Sequence, residues 1–166
     1  MEISIRRWKS GDVAEMARIC NRADRTYLSD RLPSPYTERD AENYLNMVEK
    51  RNGNDGLFCA VIADGEVAGT ISVECMQDIC RCVGEIGYFL DKDYCSRGIM
   101  TEAVKLICAE AFEKLGLSRI TGFVFAPNTA SRRVLEKNGF ALEGIMRRAA
   151  LKDGKFYDLC VYGKLK

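Results

Sequence analysis

The 166 residues carry 25 lysines and arginines against 24 aspartates and glutamates, a formal net charge of +1, with 47% hydrophobic and 30% charged residues. That balance is ordinary for a globular chain of one-domain length, and it excludes the strongly basic surface that would hold nucleic acid or anionic lipid by charge alone. No histidine is present, which excludes Ser-His and Cys-His catalytic machinery. The 8 cysteines include no paired C-x-x-C, so no zinc site is expected.

Met1 to Trp8 lacks the long apolar core of a secretory signal, and no run approaches the roughly 20 apolar residues of a membrane span. A reducing, cytoplasmic setting is expected, with free thiols serving as small hydrophobes.

Residues 2–8 read as a first strand, and Ser10 is placed to cap a helix from Asp12 to about Asn21 with Val13, Met16, Ala17, Ile19 and Cys20 inward. Asp24 to Pro35 mixes turn residues with Tyr27, Leu28 and Leu32. Thr37 caps a second helix, Glu38 to Arg51, with Ala41, Tyr44, Leu45 and Val48 as its stripe. Leu57–Ala63 is a buried strand, Asp64-Gly65 a hairpin turn and Glu66–Cys75 the returning strand. Val83–Leu90 is a further strand, followed by a short polar loop and a helix over Thr101–Leu115 that ends at Gly116. Ser118–Phe125 is a strand. Asn128 caps a helix to Lys137 with Ala130, Val134 and Leu135 inward, closed by Asn138-Gly139. Two last strands, about Phe140–Ala149 and Lys155–Leu165, turn at Asp153-Gly154. This order predicts one α/β domain over residues 1–166, a mixed sheet with helices on both faces.

The loop between Leu90 and Thr101 draws attention first. Amides in the first turn of a helix lack internal partners, and the helix dipole adds partial positive charge, so an anion such as phosphate is the natural guest. A solvated, capped turn is the plainer alternative.

Gly84-Glu85-Ile86-Gly87-Tyr88, Arg97-Gly98-x-x-Thr101-Glu102-Ala103, Asn128-x-x-Ser131 and Lys137-Asn138-Gly139-Phe140-x-x-Glu143-Gly144 occur in that order. Together with Pro35-Tyr36-Thr37-x-x-Asp40-Ala41 they resemble the GNAT N-acetyltransferases, and within them the ribosomal-protein (RimJ/RimL-like) branch. The resemblance implies a sheet of about seven mostly antiparallel strands flanked by about four helices. It implies acetyl-CoA as co-substrate and direct transfer of acetyl to an amine. The implied cofactor contacts are Cys95, Ser96, Arg97, Gly98, Ile99, Met100 and Thr101 around the pyrophosphate, and Phe89 and Leu90, one of whose amides polarises the thioester. Asn128 is implied on the pantetheine arm, Ser131 beside the thiol, and Arg133 and Lys137 near the phosphates.

Two positions depart from the family pattern: Cys95 stands where Gln or Arg is usual, and Met100 where Gly or Ala is usual. The tyrosine that often protonates the thiolate is replaced by Leu135. A thiol near pKa 8.5 does not require a strong acid, and Ser131 is the remaining hydroxyl at hand. With histidine absent, a carboxylate acting through water is the expected base, and the resemblance puts Glu85 there. Glu85 read from the residues alone is either such a base, an anchor for a substrate cation, or the polar member of an alternating strand. Cys95, near a helix N-terminus, is expected to have a lowered thiol pKa.

The acceptor is an amine on a protein N-terminus or on a small molecule such as a polyamine, an aminoglycoside-like compound or an amino acid. A CoA-binding sensor without catalysis is the reading from another class. Neither nucleic acid nor membrane is an expected partner, and monomer and homodimer are both open.

Overall fold

The computed structural model describes residues 1–166. In chain order the elements are β1 (Ile3–Arg7), α1 (Val13–Arg22), α2 (Glu38–Arg51), β2 (Gly56–Ala63), β3 (Glu66–Cys75), β4 (Val83–Leu90), α3 (Ile99–Lys114), β5 (Arg119–Phe125), α4 (Thr129–Lys137), β6 (Ala141–Lys152) and β7 (Lys155–Leu165). The strands form a single sheet in the order β1-β2-β3-β4-β5-β7-β6. Every neighbouring pair is antiparallel except β4 and β5. Four helices and seven mostly antiparallel strands match the expected mixed α/β architecture.

Each face of the sheet has its own core. On one, α1 and α2 cover Trp8, Met16, Ile19, Ala41, Leu45, Val48 and Phe58. On the other, α3 and α4 cover Leu57, Ile71, Val73, Ile86, Ile99, Ile107, Ile120, Leu135 and Tyr162. β2 lies between the two layers with nearly every residue buried, which is why its sequence is continuously apolar and not alternating.

Local chemistry sets the ends. Thr37 and Asp40 form a reciprocal capping box at the start of α2, Asp40 N–H donating to Thr37 Oγ1 (3.2 Å) and Thr37 N–H to Asp40 Oδ2 (2.8 Å). The Ser10 cap expected for α1 does not form. Asp12 takes the N-cap position, but its carboxylate accepts from Arg6 (2.6 Å and 2.9 Å) and from Lys9 N–H (2.8 Å), tying β1 to the helix start. α3 begins two residues earlier than expected, because Gly98, at φ 77°, supplies the left-handed turn that launches it. In α4 only Leu135 is buried, Val134 is half-buried and Ala130 is exposed. The inward stripe expected there is therefore narrower. β6 starts one residue later and runs three residues further than expected, and its pairing with β7 slips at Leu142/Gly144 and Met146/Ala150.

The cysteines divide. Cys20, Cys59, Cys108 and Cys160 are buried as small hydrophobes, whereas Cys80, Cys82 and Cys95 are exposed and Cys75 is half-buried. No helix is long and apolar enough to cross a membrane.

One ionic cluster fastens α1 to the end of β4. Asp91 is 1% exposed, and its carboxylate accepts from Arg18 Nη1 (2.7 Å) and Arg22 Nε (2.9 Å) on α1 and from Asp93 N–H (3.1 Å). Its own N–H donates to Ala68 O on β3 (2.9 Å). Removing the carboxylate strands two guanidiniums that are only partly open to water. Asp91→Ala is therefore expected to lower the unfolding free energy by about 2–3 kcal/mol in urea titration. An unchanged midpoint would show the cluster to be neutral.

Candidate active site

The parallel ladder between β4 and β5 holds only Val83–Arg119, Gly84–Ile120 and Glu85–Thr121. Beyond it, β4 stays paired with β3 as far as Leu90, and β5 stays paired with β7 as far as Phe125. The sheet therefore splits after Glu85, five residues before β4 ends and earlier than a split at Phe89 and Leu90 would be. The facing backbone edges of residues 86–90 and 122–125 have no ladder partner. Alternation sends Glu85, Gly87 and Phe89 to the α1/α2 side, where Phe89 packs, and Ile86, Tyr88 and Leu90 to the α3/α4 side.

At the open end of the split lies the loop before α3. Ser96 and Gly98 both have positive φ, 61° and 77°, and no Cβ contact would arise within 4 Å of Gly98, so its surface is open. The N–H groups of Ser96, Arg97 and Gly98 donate to no atom of the protein. Those of Ile99, Met100 and Thr101 follow as the first-turn amides of α3. Successive amides turned outward at a helix start form a concave anion site. The residues present therefore suit a phosphate, and the grip is backbone. Ile99 and Met100 are 1% and 6% exposed, their side chains part of the core under the helix, so only their amides are available. That burial explains how Met is tolerated at this position: its side chain points away from the loop surface. The Arg97 guanidinium lies 5.9 Å from the Tyr94 ring centroid and has no ion pair, leaving it free at the loop.

Cys95 departs from its expectation. Partial burial raises its thiol pKa, and the carboxylates of Asp24 and Asp91 push the same way. A lowered pKa is thereby overturned.

α4 forms the wall on the α3 side. Asn128 caps it, its Oδ1 accepting from Ser131 N–H (3.2 Å). Ser131 is half-buried, with its Oγ 2.9 Å from the hydroxyl of Tyr88. Leu135 is 1% exposed and packs where a Cβ on Gly122 would lie 2.8 Å from its Cδ1 and 3.3 Å from Ile86 Cγ2. The residue replacing the familiar tyrosine is thus a core residue. Asn138, read from sequence as a helix stop, does more: its Nδ2 donates to Thr101 O (3.0 Å) and Val134 O (2.9 Å), locking the end of α4 to the start of α3. Arg133 and Lys137 are exposed on α4 and form no ion pair. Arg132 is committed elsewhere, donating to Tyr162 Oη (3.0 Å) and Ala126 O (3.2 Å).

Glu85 is the last residue of the β4–β5 ladder, exposed on the α1/α2 face. Its cross-strand neighbour on β3 is Glu74. Desolvation raises its carboxyl pKa above the ordinary 4.5, and the Glu74 charge adds to this, with Arg31 pulling partly back. Glu74 itself is held by Arg51 at 3.1 Å.

The region 24–35 and the β6–β7 hairpin meet on this same face. Tyr27, Phe125 and Tyr157 form a ring cluster with centroid separations of 5.3, 5.3 and 6.3 Å, and Lys152 pairs with Asp30 at 2.7 Å. Most charges of this stretch are already spent. Asp24 accepts from Thr26, Arg25 donates to the carbonyls of Cys20, Leu32 and Pro33, and Arg22 joins Asp91 and Asp93.

Sequence reading missed Asp91 and the reach of Tyr88. Asp91 had one signal, two arginines four residues apart, Arg18 and Arg22, at the end of the predicted first helix. Tyr88 had a weaker one, a hydroxyl on the otherwise apolar side of its strand.

Residues 2–141 match the family description "Acetyltransferase (GNAT) domain". A probable N-acetyltransferase, YjcK of Bacillus subtilis, is 43% identical over 103 residues, 62% of this chain and 56% of the relative. The putative ribosomal N-acetyltransferase YdaF of the same species is 34% identical over 112 residues, 68% of this chain and 61% of the relative. The matched parts thus span little more than half of either relative. Among solved structures, ribosomal-protein-S5-alanine acetyltransferase of Vibrio fischeri superposes with a TM-score of 0.88 at 25% identity, covering 99% of this chain and 93% of the other. With the split sheet, the outward-facing amide loop and the family match over most of its length, this chain belongs to the GNAT acetyltransferase family.

Proposed function

We propose that this protein is an acetyl-CoA-dependent N-acetyltransferase that passes acetyl directly to a primary amine, with a protein N-terminal α-amine as the acceptor. The observation that carries the reading is the split after Glu85. It leaves the facing edges of β4 and β5 unpaired, with the amide loop and a hydroxyl-bearing helix on one side and a carboxylate on the other.

In this reading, acetyl-CoA supplies an activated thioester. The amides of Ser96–Thr101 hold its pyrophosphate, supported by Arg97, Arg133 and Lys137. Unpaired backbone along β4, as far as Phe89 and Leu90, lines the gap where an N–H can polarise the carbonyl in the manner of an oxyanion hole. Asn128 serves both as helix cap and as a polar group for the pantetheine arm. Glu85 approaches from the α1/α2 face, where the amine would enter, and accepts the amine's proton through water. Its raised pKa makes it a stronger base than a free carboxylate. Ser131 faces the departing sulfur from the α4 side. Holding both partners in one passage supplies much of the rate by orientation.

The N-terminal acceptor is supported by the names of relatives, a ribosomal-protein-S5-alanine acetyltransferase and a putative ribosomal N-acetyltransferase. It also fits the pKa argument: an α-amine near 7.7–8.0 needs less help from a carboxylate than a lysine-like amine near 10.4. Calorimetry with acetyl-CoA, followed by thiol release over peptides with free N-termini, polyamines, aminoglycosides and amino acids, tests it. Binding with release on peptides alone is the expected result. Release on a small amine alone would transfer the assignment to a small-molecule acetyltransferase, and binding without any release would indicate a sensor module.

Glu85→Gln is expected to lower kcat by about 100-fold or more with acetyl-CoA affinity nearly unchanged. Unchanged turnover removes Glu85 from the mechanism. The linkage runs the other way for stability. A carboxyl whose pKa is higher folded than unfolded costs stability as pH rises through that window, so ionising Glu85 works against the fold. Glu85→Gln should therefore melt at a temperature equal to or above wild type at pH 7, which separates lost catalysis from lost folding. For the wild type, kcat/KM should fall at acidic pH with an apparent pKa above 4.5.

A further inference from the structure

The hydroxyl of Tyr88 is placed where it can govern Ser131. Tyr88 leaves β4 three residues past the last β4–β5 pair and crosses to α4 on the α3/α4 side of the split. Its Oη lies 2.9 Å from Ser131 Oγ and donates toward Ser131 O at 3.2 Å. Ser131 N–H is already given to Asn128 Oδ1. All three polar groups of Ser131 are thus engaged, and two of them by one phenol.

Counting protons leaves two arrangements. If Ser131 O–H donates to Tyr88 Oη, its proton is spent inside the pair. If the one phenol proton turns from Ser131 O to Ser131 Oγ, which lies nearer, the serine proton is free to point into the gap. A negative charge in the passage favours the second, because both hydroxyl dipoles then align toward it and each bond strengthens the next. Burial pushes the Tyr88 phenol up to about 12, and the Cys108 thiol on α3, which also faces it, is itself held near 11 by burial. Both remain neutral donors over the working range.

We propose that Tyr88 is a positioning residue that turns the Ser131 hydroxyl toward the departing thiolate, so that a two-hydroxyl chain substitutes for the tyrosine absent at Leu135. The assignment rests on the acetyl-CoA reading above. No proton leaves the chain. A phenol this weakly acidic does not surrender its proton to a thiolate whose conjugate acid is near 8.5, so the thiolate is stabilised by a hydrogen bond and later takes its proton from water.

The test compares the affinities of CoA and desulfo-CoA from pH 7 to pH 10 by calorimetry, in wild type, Tyr88→Phe, Ser131→Ala and the double variant. A hydrogen bond to the thiolate favours the ionised form of the bound thiol. If the bound thiol ionises about one pH unit lower than the free one, the CoA-to-desulfo-CoA affinity ratio rises about tenfold over that range. Wild type is expected to show this gain. Tyr88→Phe, which keeps the ring, should lose most of it with desulfo-CoA affinity unchanged. Ser131→Ala should lose it fully, and the double variant should match Ser131→Ala. A full gain in Tyr88→Phe, a flat wild-type ratio, or a double variant clearly worse than Ser131→Ala overturns the assignment. Failure of wild type to bind either ligand is a different result and overturns the acetyl-CoA reading itself.

Discussion

Three residue pairs, Val83–Arg119 to Glu85–Thr121, join the halves of the sheet. Past them, β4 and β5 each keep a full ladder with the strand on the far side and none with each other. Main-chain donors and acceptors left this way inside a fold need partners, and water or a ligand must supply them. The other features of the site are arranged around that break. Glu85 is the last paired residue, Tyr88 crosses the opening, and the loop of outward amides lies just beyond the end of β4. A sheet paired to its end would leave no unpaired main-chain edge between β4 and β5.

A break of this kind needs bracing, and the brace is ionic on one face and amide-based on the other. Asp91 gathers Arg18 and Arg22 from α1, so the point where β4 becomes the anion loop is fixed to the N-terminal layer. Asn138 joins α4 to the first turn of α3, so the hydroxyl wall and the amide loop form one unit. Ser131 and the loop amides are therefore fixed relative to each other by the Asn138 side chain.

Much of this was legible in the sequence, because local rules set it. The Thr37 capping box, the Asp64-Gly65 hairpin, the strand over Val83–Leu90 and the Asn128 cap were all readable from short-range chemistry, and the order of motifs gave the fold. What escaped was tertiary. The Ser10 cap failed because Arg6, six residues away from Asp12 in the chain, reorganised the helix start. The thiol of Cys95 departs from expectation because its partial burial, and the approach of Asp24 from the N-terminal half, exist only in the folded chain. Asp91 itself reads as an unremarkable turn residue until α1 is laid beside it. The meaning of Leu135 was half visible: the missing tyrosine could be seen, but not the Tyr88 hydroxyl reaching Ser131 from another strand.

The two register slips in β6 bear on how this protein behaves when concentrated. β6 is an edge strand of 12 residues, almost wholly exposed, with Leu142, Ile145 and Met146 open to solvent. A flat edge of that length and character would template strand addition and seed aggregates. The slips at Leu142/Gly144 and Met146/Ala150 break it into short pieces, and Arg147 and Arg148 lie within the second slip. An incoming strand meets no long continuous row of donors and acceptors. The irregularity of the last hairpin thus doubles as a guard on solubility.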